Sequence, residues 1–231
     1  MNQKILELKN KLKEQGIKGL ALDIDETLSD TNPHWFEHMI NFHRPEGMSN
    51  EEIIEKYRFV EEVPGWRTEE ADKYIQEALH SNDFNESIPL IEGADKAVQE
   101  LNKLVPIVAY VTARPTTVIE GTLRWLKKHN FPDAELITRP QDDKGLEDFN
   151  TNKNRWKAGV LNTLYPEVLG IVDDNPVLAR ELEAIDYKGR LYIYGKEGSE
   201  FINHKHILVC PSWKDVLETV KSKPVQREDL G

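Results

Sequence analysis

Two carboxylates two residues apart close an apolar run, in the stretch Gly19-Leu20-Ala21-Leu22-Asp23-Ile24-Asp25-Glu26-Thr27-Leu28. In an extended strand, residues i and i+2 point to the same side, so Asp23 and Asp25 can face one pocket. Open α/β sheets hold ligands beyond the C-terminal ends of their strands. The same spacing also describes a plain strand running into an acidic turn, so its partners must be sought elsewhere in the chain. Three polar clusters follow other apolar runs. Val108 to Val111 delivers Thr112-Ala113-Arg114-Pro115, where Pro115 starts a helix, and the Thr112 hydroxyl and the free N–H groups at that helix start could hold phosphate oxygens; a capping threonine is the plainer alternative. Leu169 to Val172 delivers Asp173-Asp174, an acid pair suited to a hard cation such as Mg²⁺. The alternative there is Asp174 or Asn175 capping the next helix. The basic segment Asn152-Lys153-Asn154-Arg155-Trp156-Lys157 supplies cations for a place where acids and a phosphate would crowd together.

The elements that would position these residues alternate. Helical spacing of Ile5, Leu8 and Leu12, stopped by Gly16, predicts a helix over 2–15, and the first strand is expected over 18–24. Beyond Pro89 the pattern predicts helices over 93–103, 116–130, 154–164, 177–184 and 213–220. Strands are expected over 106–111, 134–138, 168–172, 190–194 and 206–209. Strands alternating with helices imply a mainly parallel sheet covered on both faces, a Rossmann-like three-layer α/β/α core. Residues 30–89 break the rhythm. Asn32-Pro33, the capping box Ser49-Asn50-Glu51-Glu52 and Thr68-Glu69-Glu70-Ala71 all read as helix starts there. The expected organisation is a core of 1–29 and 90–221, a small helical insertion over 30–89, and a polar tail over 222–231.

Composition restricts the function classes. Of 231 residues, 39% are hydrophobic and 31% charged, and the formal net charge is −11. That charge opposes a nonspecific grip on nucleic acid, which makes nucleic acid an unlikely partner. The single cysteine, Cys210, precludes an intramolecular disulfide and sits in an apolar run, as a small core residue would. No apolar stretch approaches a membrane span, and no apolar leader opens the sequence, so the expected setting is cytoplasmic.

Together the four clusters resemble the haloacid dehalogenase-like (HAD) hydrolase superfamily, most of whose members are Mg²⁺-dependent phosphatases. Asp23-Ile24-Asp25-Glu26-Thr27 resembles the D-x-D-x-T motif, in the branch written D-x-D-E-T. Thr112 resembles the second motif, Lys157 the third with Lys153 as the other candidate, and Asp173-Asp174 the fourth. Glu26 departs from the glycine of many members. The resemblance implies that Asp23 attacks phosphorus and that Asp25 protonates the leaving oxygen, then activates water. For this role Asp25 needs a raised pKa. It implies that Asp23, Asp174 and the Asp25 carbonyl ligate Mg²⁺, with Asp173 more remote or holding Lys157. Thr112 and Lys157 would neutralise phosphoryl oxygens, with Ala113 and Arg114 as further substrate contacts.

The insertion lies where this superfamily places a cap over the site. Its candidate contacts are His34, Trp35, His38, His43, Arg44, Lys56, Tyr57, Arg58 and Trp66. His34-Trp35-Phe36-Glu37-His38 also matches the H-x-x-E-H of a zinc protease family, but the match brings no third ligand, and a histidine pair facing an anionic substrate fits better. The expected function is hydrolysis of a small phosphorylated metabolite or nucleotide. The alternatives are a phosphotransferase or mutase, a polynucleotide-end phosphatase, and a phosphate-binding protein without turnover.

Overall fold

The computed structural model describes residues 3–42, 44, 47–57, 60–140, 149–195, 198–201 and 204–223. Of the expected cap contacts, His43 and Arg58 lie outside this set, as do residues 224–231 of the tail. Helix α1 (Gln3–Gln15) packs Ile5, Leu8 and Leu12 inward. Strand β1 (Gly19–Leu22) is buried on both faces, as its unbroken apolar run requires. The remaining strands are β2 (Ile107–Pro115), β3 (Glu135–Arg139), β4 (Val168–Asp173), β5 (Arg190–Tyr194) and β6 (Ile207–Cys210). All pairings are parallel, in the order β3-β2-β1-β4-β5-β6. This is the Rossmann-like α/β sheet expected, with β1 central and the chain reversing direction across the sheet beside it. The crevice at such a reversal is where ligands bind.

One apolar layer lies on each face. Leu161, Leu164, Ile171 and Leu182 belong to one, and Leu22, Leu101, Tyr110 and Trp125 to the other. The covering helices of the core are α6 (Ala94–Leu104), α7 (Ile119–Lys128), α8 (Phe149–Leu164), α9 (Pro176–Ala184) and α10 (Trp213–Ser222), counted after four helices of the insertion. Cys210 is fully buried, and burial pushes its thiol up to about 11, which keeps it protonated and inert.

Between β1 and α6 the chain is helical: α2 (Thr31–Phe42), α3 (Asn50–Lys56), α4 (Glu69–Leu79) and α5 (Asn82–Ser87). The capping box at Ser49 forms with both of its hydrogen bonds, and the Thr68 hydroxyl caps α4. Asn32 does not cap α2, whose first helical residue is Thr31. The segment has its own core of Phe36, Met39, Ile40, Ile53, Val60, Val63, Trp66 and Ala71. Its ends are pinned together. Asp30 N–H donates to Pro89 O at 2.9 Å, Ile91 N–H to Leu28 O at 2.9 Å, and Ser29 forms an antiparallel bridge with Leu90.

Short and polar, α5 has no apolar periodicity by which to read it from sequence. It packs on α7, where Gly121 N–H donates to the Asn82 side chain at 2.6 Å. A Cβ at Gly121 would lie 2.3 Å from the Asn82 carbonyl oxygen, so only glycine permits this approach. Among the described residues, no helix is long and apolar enough to cross a membrane.

Candidate active site

Three strand ends, those of β1, β2 and β4, and helix α8 bring the polar clusters together at the C-terminal edge of the sheet. Asp23 follows β1 directly, and its N–H donates to Val172 O of β4 at 2.9 Å. It is 5% exposed. Lys157, on the buried face of α8, reaches Asp23 Oδ2 at 2.8 Å and Asp173 Oδ2 at 2.7 Å. Asp173 Oδ1 accepts the Asn175 N–H at 2.9 Å. Both Asp173 oxygens are therefore engaged, and Asp173 orients the lysine. Asn175, not Asp174, caps α9 by accepting the Val177 N–H at 3.0 Å. Lys153 lies one helical turn before Lys157, near enough to Asp174, Asp23 and Asp25 for their charges to raise its pKa. Burial and the Lys157 charge outweigh them and lower it.

The electrostatics of this group show a shortage of positive charge. Burial pushes Asp23 up to about 7; Lys157 pulls it down, but Asp173 and Asp25 add to the rise. Burial raises Asp174 well above the carboxylate range, and the charges of Asp173 and Asp23 raise it further. Asp23 Oδ1 is buried with no hydrogen-bond partner. Asp23, Asp173 and Asp174 each offer an oxygen within 4.8 Å of the others. An orphaned carboxylate oxygen in a crowd of acids matches the donor set of a hard divalent cation, so these residues fit Mg²⁺.

Asp25 belongs to a different network. The fork of Arg114 grips it, with Nη2 to Oδ1 at 2.7 Å and Nε to Oδ1 and Oδ2 at 3.0 and 3.2 Å. Thr31 donates to Oδ1 at 2.8 Å, Ser29 at 3.3 Å, and the fully buried Thr112 to Oδ2 at 3.4 Å. Burial pushes the Asp25 carboxyl up, but the Arg114 charge and hydrogen bonds, helped by Thr31, carry it below its ordinary value. The sequence reading expected the opposite shift, because it counted the neighbouring acids and missed the buried guanidinium.

Arg114 corrects a second expectation. The helix expected from Pro115 begins later: β2 runs on to Pro115, and a short 3-10 turn over 116–118 precedes α7. Between Thr112 and Pro115 the pairing with β3 shifts, leaving Ala113 and Arg114 in a bulge. Bulges beside active sites re-aim side chains. Arg114 N–H donates to the Thr112 hydroxyl at 3.2 Å, so it is not a free helix-start donor. Arg114 is 4% exposed, and its guanidinium lies among Asp25, Ser29 and Thr122, rather than open to a substrate. The period of two that pairs Asp23 with Asp25 also pairs Thr112 with Arg114, so that partnership was readable. Ser29 and Thr31 have no such signal.

The insertion residues are mostly committed to one another. His34, 9% exposed, meets Ser87 Oγ at 3.2 Å and packs on Phe84. His38 Nδ1 meets the Tyr74 hydroxyl at 2.8 Å. The two imidazoles are neighbours, with centroids 4.6 Å apart, but no third metal-binding side chain joins them among the described residues. Trp66 is buried against Phe36, and the half-buried Trp35 packs on Phe84. Arg44 bonds the Asn50 side chain, and Lys56 lies over the Tyr57 ring.

No family model matches the chain. A stretch of 135 residues is 28% identical to OB0422 of Oceanobacillus iheyensis, a protein named as a nucleotidase; it covers 55% of this chain and 68% of that protein. Among solved structures, the fold matches a HAD family hydrolase from Deinococcus radiodurans R1 with TM-score 0.55 and 11% identity, over 91% of this chain and 98% of that one. A weaker likeness, TM-score 0.47 and 16% identity, is to a HAD-superfamily hydrolase from Ehrlichia chaffeensis, over 89% of this chain and 98% of that one. The chain thus shares the fold of the Deinococcus HAD family hydrolase.

Proposed function

We propose that this chain is a phosphatase that hydrolyses phosphoric monoesters of small molecules through Asp23. The observation that carries the reading is Lys157 bridging Asp23 and Asp173 beside the partnerless Asp23 Oδ1. A buried lysine holding one carboxylate oxygen leaves the other as an oriented nucleophile. Asp23 forms a bond to phosphorus as the bond to the leaving oxygen breaks, and Asp25 gives that oxygen a proton. Water then attacks the aspartyl phosphate, Asp25 takes its proton, and inorganic phosphate leaves with Asp23 restored. Thr112 and Lys157 hold the phosphoryl oxygens, since phosphoryl transfer depends mainly on positioning and charge. Asp23, Asp174 and the Asp25 carbonyl would hold Mg²⁺, which would supply the positive charge that the acid cluster and the phosphoryl oxygens need.

Arg114 positions Asp25 rather than substrate. The pose described here presents Asp25 ionised, as the base of the second half-reaction; the acid of the first half must loosen from Arg114. The helical segment 30–89 serves as the cap, with His34 and His38 near its hinge. The Deinococcus hydrolase of like fold carries bound phosphate and sodium, which supports a phosphate site. The relative named as a nucleotidase puts nucleoside monophosphates first among the substrates to assay.

The test is phosphate release from a panel of phosphomonoesters with Mg²⁺, by the wild-type protein and Asp23→Asn. Wild-type turnover that falls by at least about a thousandfold in a folded Asp23→Asn protein is expected. Equal activity of the two proteins would refute the assignment of Asp23.

A further inference from the structure

Glu26 has no part in the chemistry above, yet its backbone occupies the left-handed region at φ +59°. That conformation favours glycine and is unfavourable for a residue with a long side chain. Its carboxylate accepts the Asn32 N–H at 2.5 Å, in the first turn of α2. One residue earlier, the Asp25 carboxylate accepts the Thr31 hydroxyl at 2.8 Å. Consecutive acids of the catalytic loop therefore hold consecutive residues at the start of the helical segment. The loop between them is tight: Glu26 N–H donates to Ser29 O at 2.9 Å, and Ser29 N–H to Ile24 O at 2.9 Å. A shift in the first turn of α2 is carried to both carboxylates at once.

We infer that Glu26 is a positioning residue, which ties the first turn of α2 to the catalytic loop and thereby fixes where Asp25 meets the leaving oxygen. The inference rests on the phosphatase reading. Losing the Glu26 carboxylate frees the Asn32 N–H and lets Thr31 move, which loosens Asp25. Asp23, Lys157, Asp173 and Asp174 keep their contacts. The defect must then fall on proton donation to the leaving group and spare phosphorus attack.

The experiment compares kcat/KM across aryl phosphates graded from p-nitrophenyl to phenyl, with Mg²⁺. p-Nitrophenolate departs with little proton assistance, whereas phenolate needs more. Glu26→Gly deletes the carboxylate and relieves the left-handed backbone, so a folding defect does not confound it. Glu26→Gln retains an acceptor oxygen. Glu26→Gly should lose about tenfold on phenyl phosphate and under about threefold on p-nitrophenyl phosphate, steepening the plot against leaving-group pKa. Glu26→Gln should keep the wild-type slope. Thr31→Val, which cuts the other contact, should steepen the plot in the same sense. A uniform loss across the series, or a slope unchanged in both Glu26→Gly and Thr31→Val, would overturn the positioning role. Wild-type protein inert on every ester would instead sink the phosphatase reading.

Discussion

The two halves of the site handle charge in opposite ways. Around Lys157, three acids crowd a lysine that pairs with two of them, with Lys153 one helical turn away, and burial pushes Asp23 up to about 7 and Asp174 well above its ordinary value. Around Arg114, one acid receives a guanidinium fork and three hydroxyls, and its pKa falls. The first half carries a surplus of acid that a cation would offset. The second is complete without one. Two acids two residues apart thus acquire different properties from their partners, not from their own position in the chain.

Removing Asp174 tests the contrast most sharply. Asp174→Asn should lower kcat by about a thousandfold and abolish any Mg²⁺-dependent rise in Tm. Without Mg²⁺ its Tm should exceed that of the wild type at pH 7, because a carboxyl whose folded pKa is raised weakens the fold once pH exceeds its unfolded value. A lower metal-free Tm would break the claim of an acid surplus.

Lys157→Met should cut kcat by about a hundredfold or more and destabilise by about 3–5 kcal/mol, since a buried pair loses its cation. Thermal unfolding and phosphate release read both effects.

In the balanced half, Arg114→Lys should lose about tenfold in kcat/KM, because an ammonium cannot reproduce the three contacts of the guanidinium. Arg114→Met should lose more. Equal activity of the Lys variant and the wild type would show that charge alone, not the fork, holds Asp25.

The smallest effect lies outside both halves. Burial, aided by His38, lowers the His34 pKa, while Glu37 opposes the shift; Ser87 and Phe84 complete its surroundings. The folded protein then binds fewer protons than the unfolded chain below about pH 6.5, so stability falls as pH drops through that range. His34→Gln should flatten the Tm–pH curve between about pH 5 and 7. An unchanged slope would assign that pH response to other groups.

Much of the fold was readable because buried parallel strands are unbroken apolar runs, and their polar ends mark one sheet edge. Asp23, Thr112 and Asp173 could be placed there from sequence for that reason. β2 was read four residues short, since its bulge carries Ala113 and Arg114 onward to pair Pro115 with Arg139. Lys153 and Lys157 share a helical face, so spacing could not rank them; only the 2.8 and 2.7 Å ion pairs do. That Asp173 holds Lys157 came only from the resemblance, because its orientation depends on an Asn175 backbone hydrogen bond that no side-chain pattern encodes. Glu26 was unreadable for a related reason: its partner is a backbone N–H six positions away.

The pinned junction at Ser29 and Leu90 has a consequence for how such a chain can diversify. The insertion leaves and returns to the core through adjacent, hydrogen-bonded backbone, so its length hardly enters the conformational entropy of the rest. Doubling a loop whose ends are already joined adds only about 0.6 kcal/mol to closure. Helices can therefore be gained, lost or exchanged between these two residues while the sheet and its catalytic edge stay put. On the proposed phosphatase reading, substrate choice then changes independently of phosphorus chemistry.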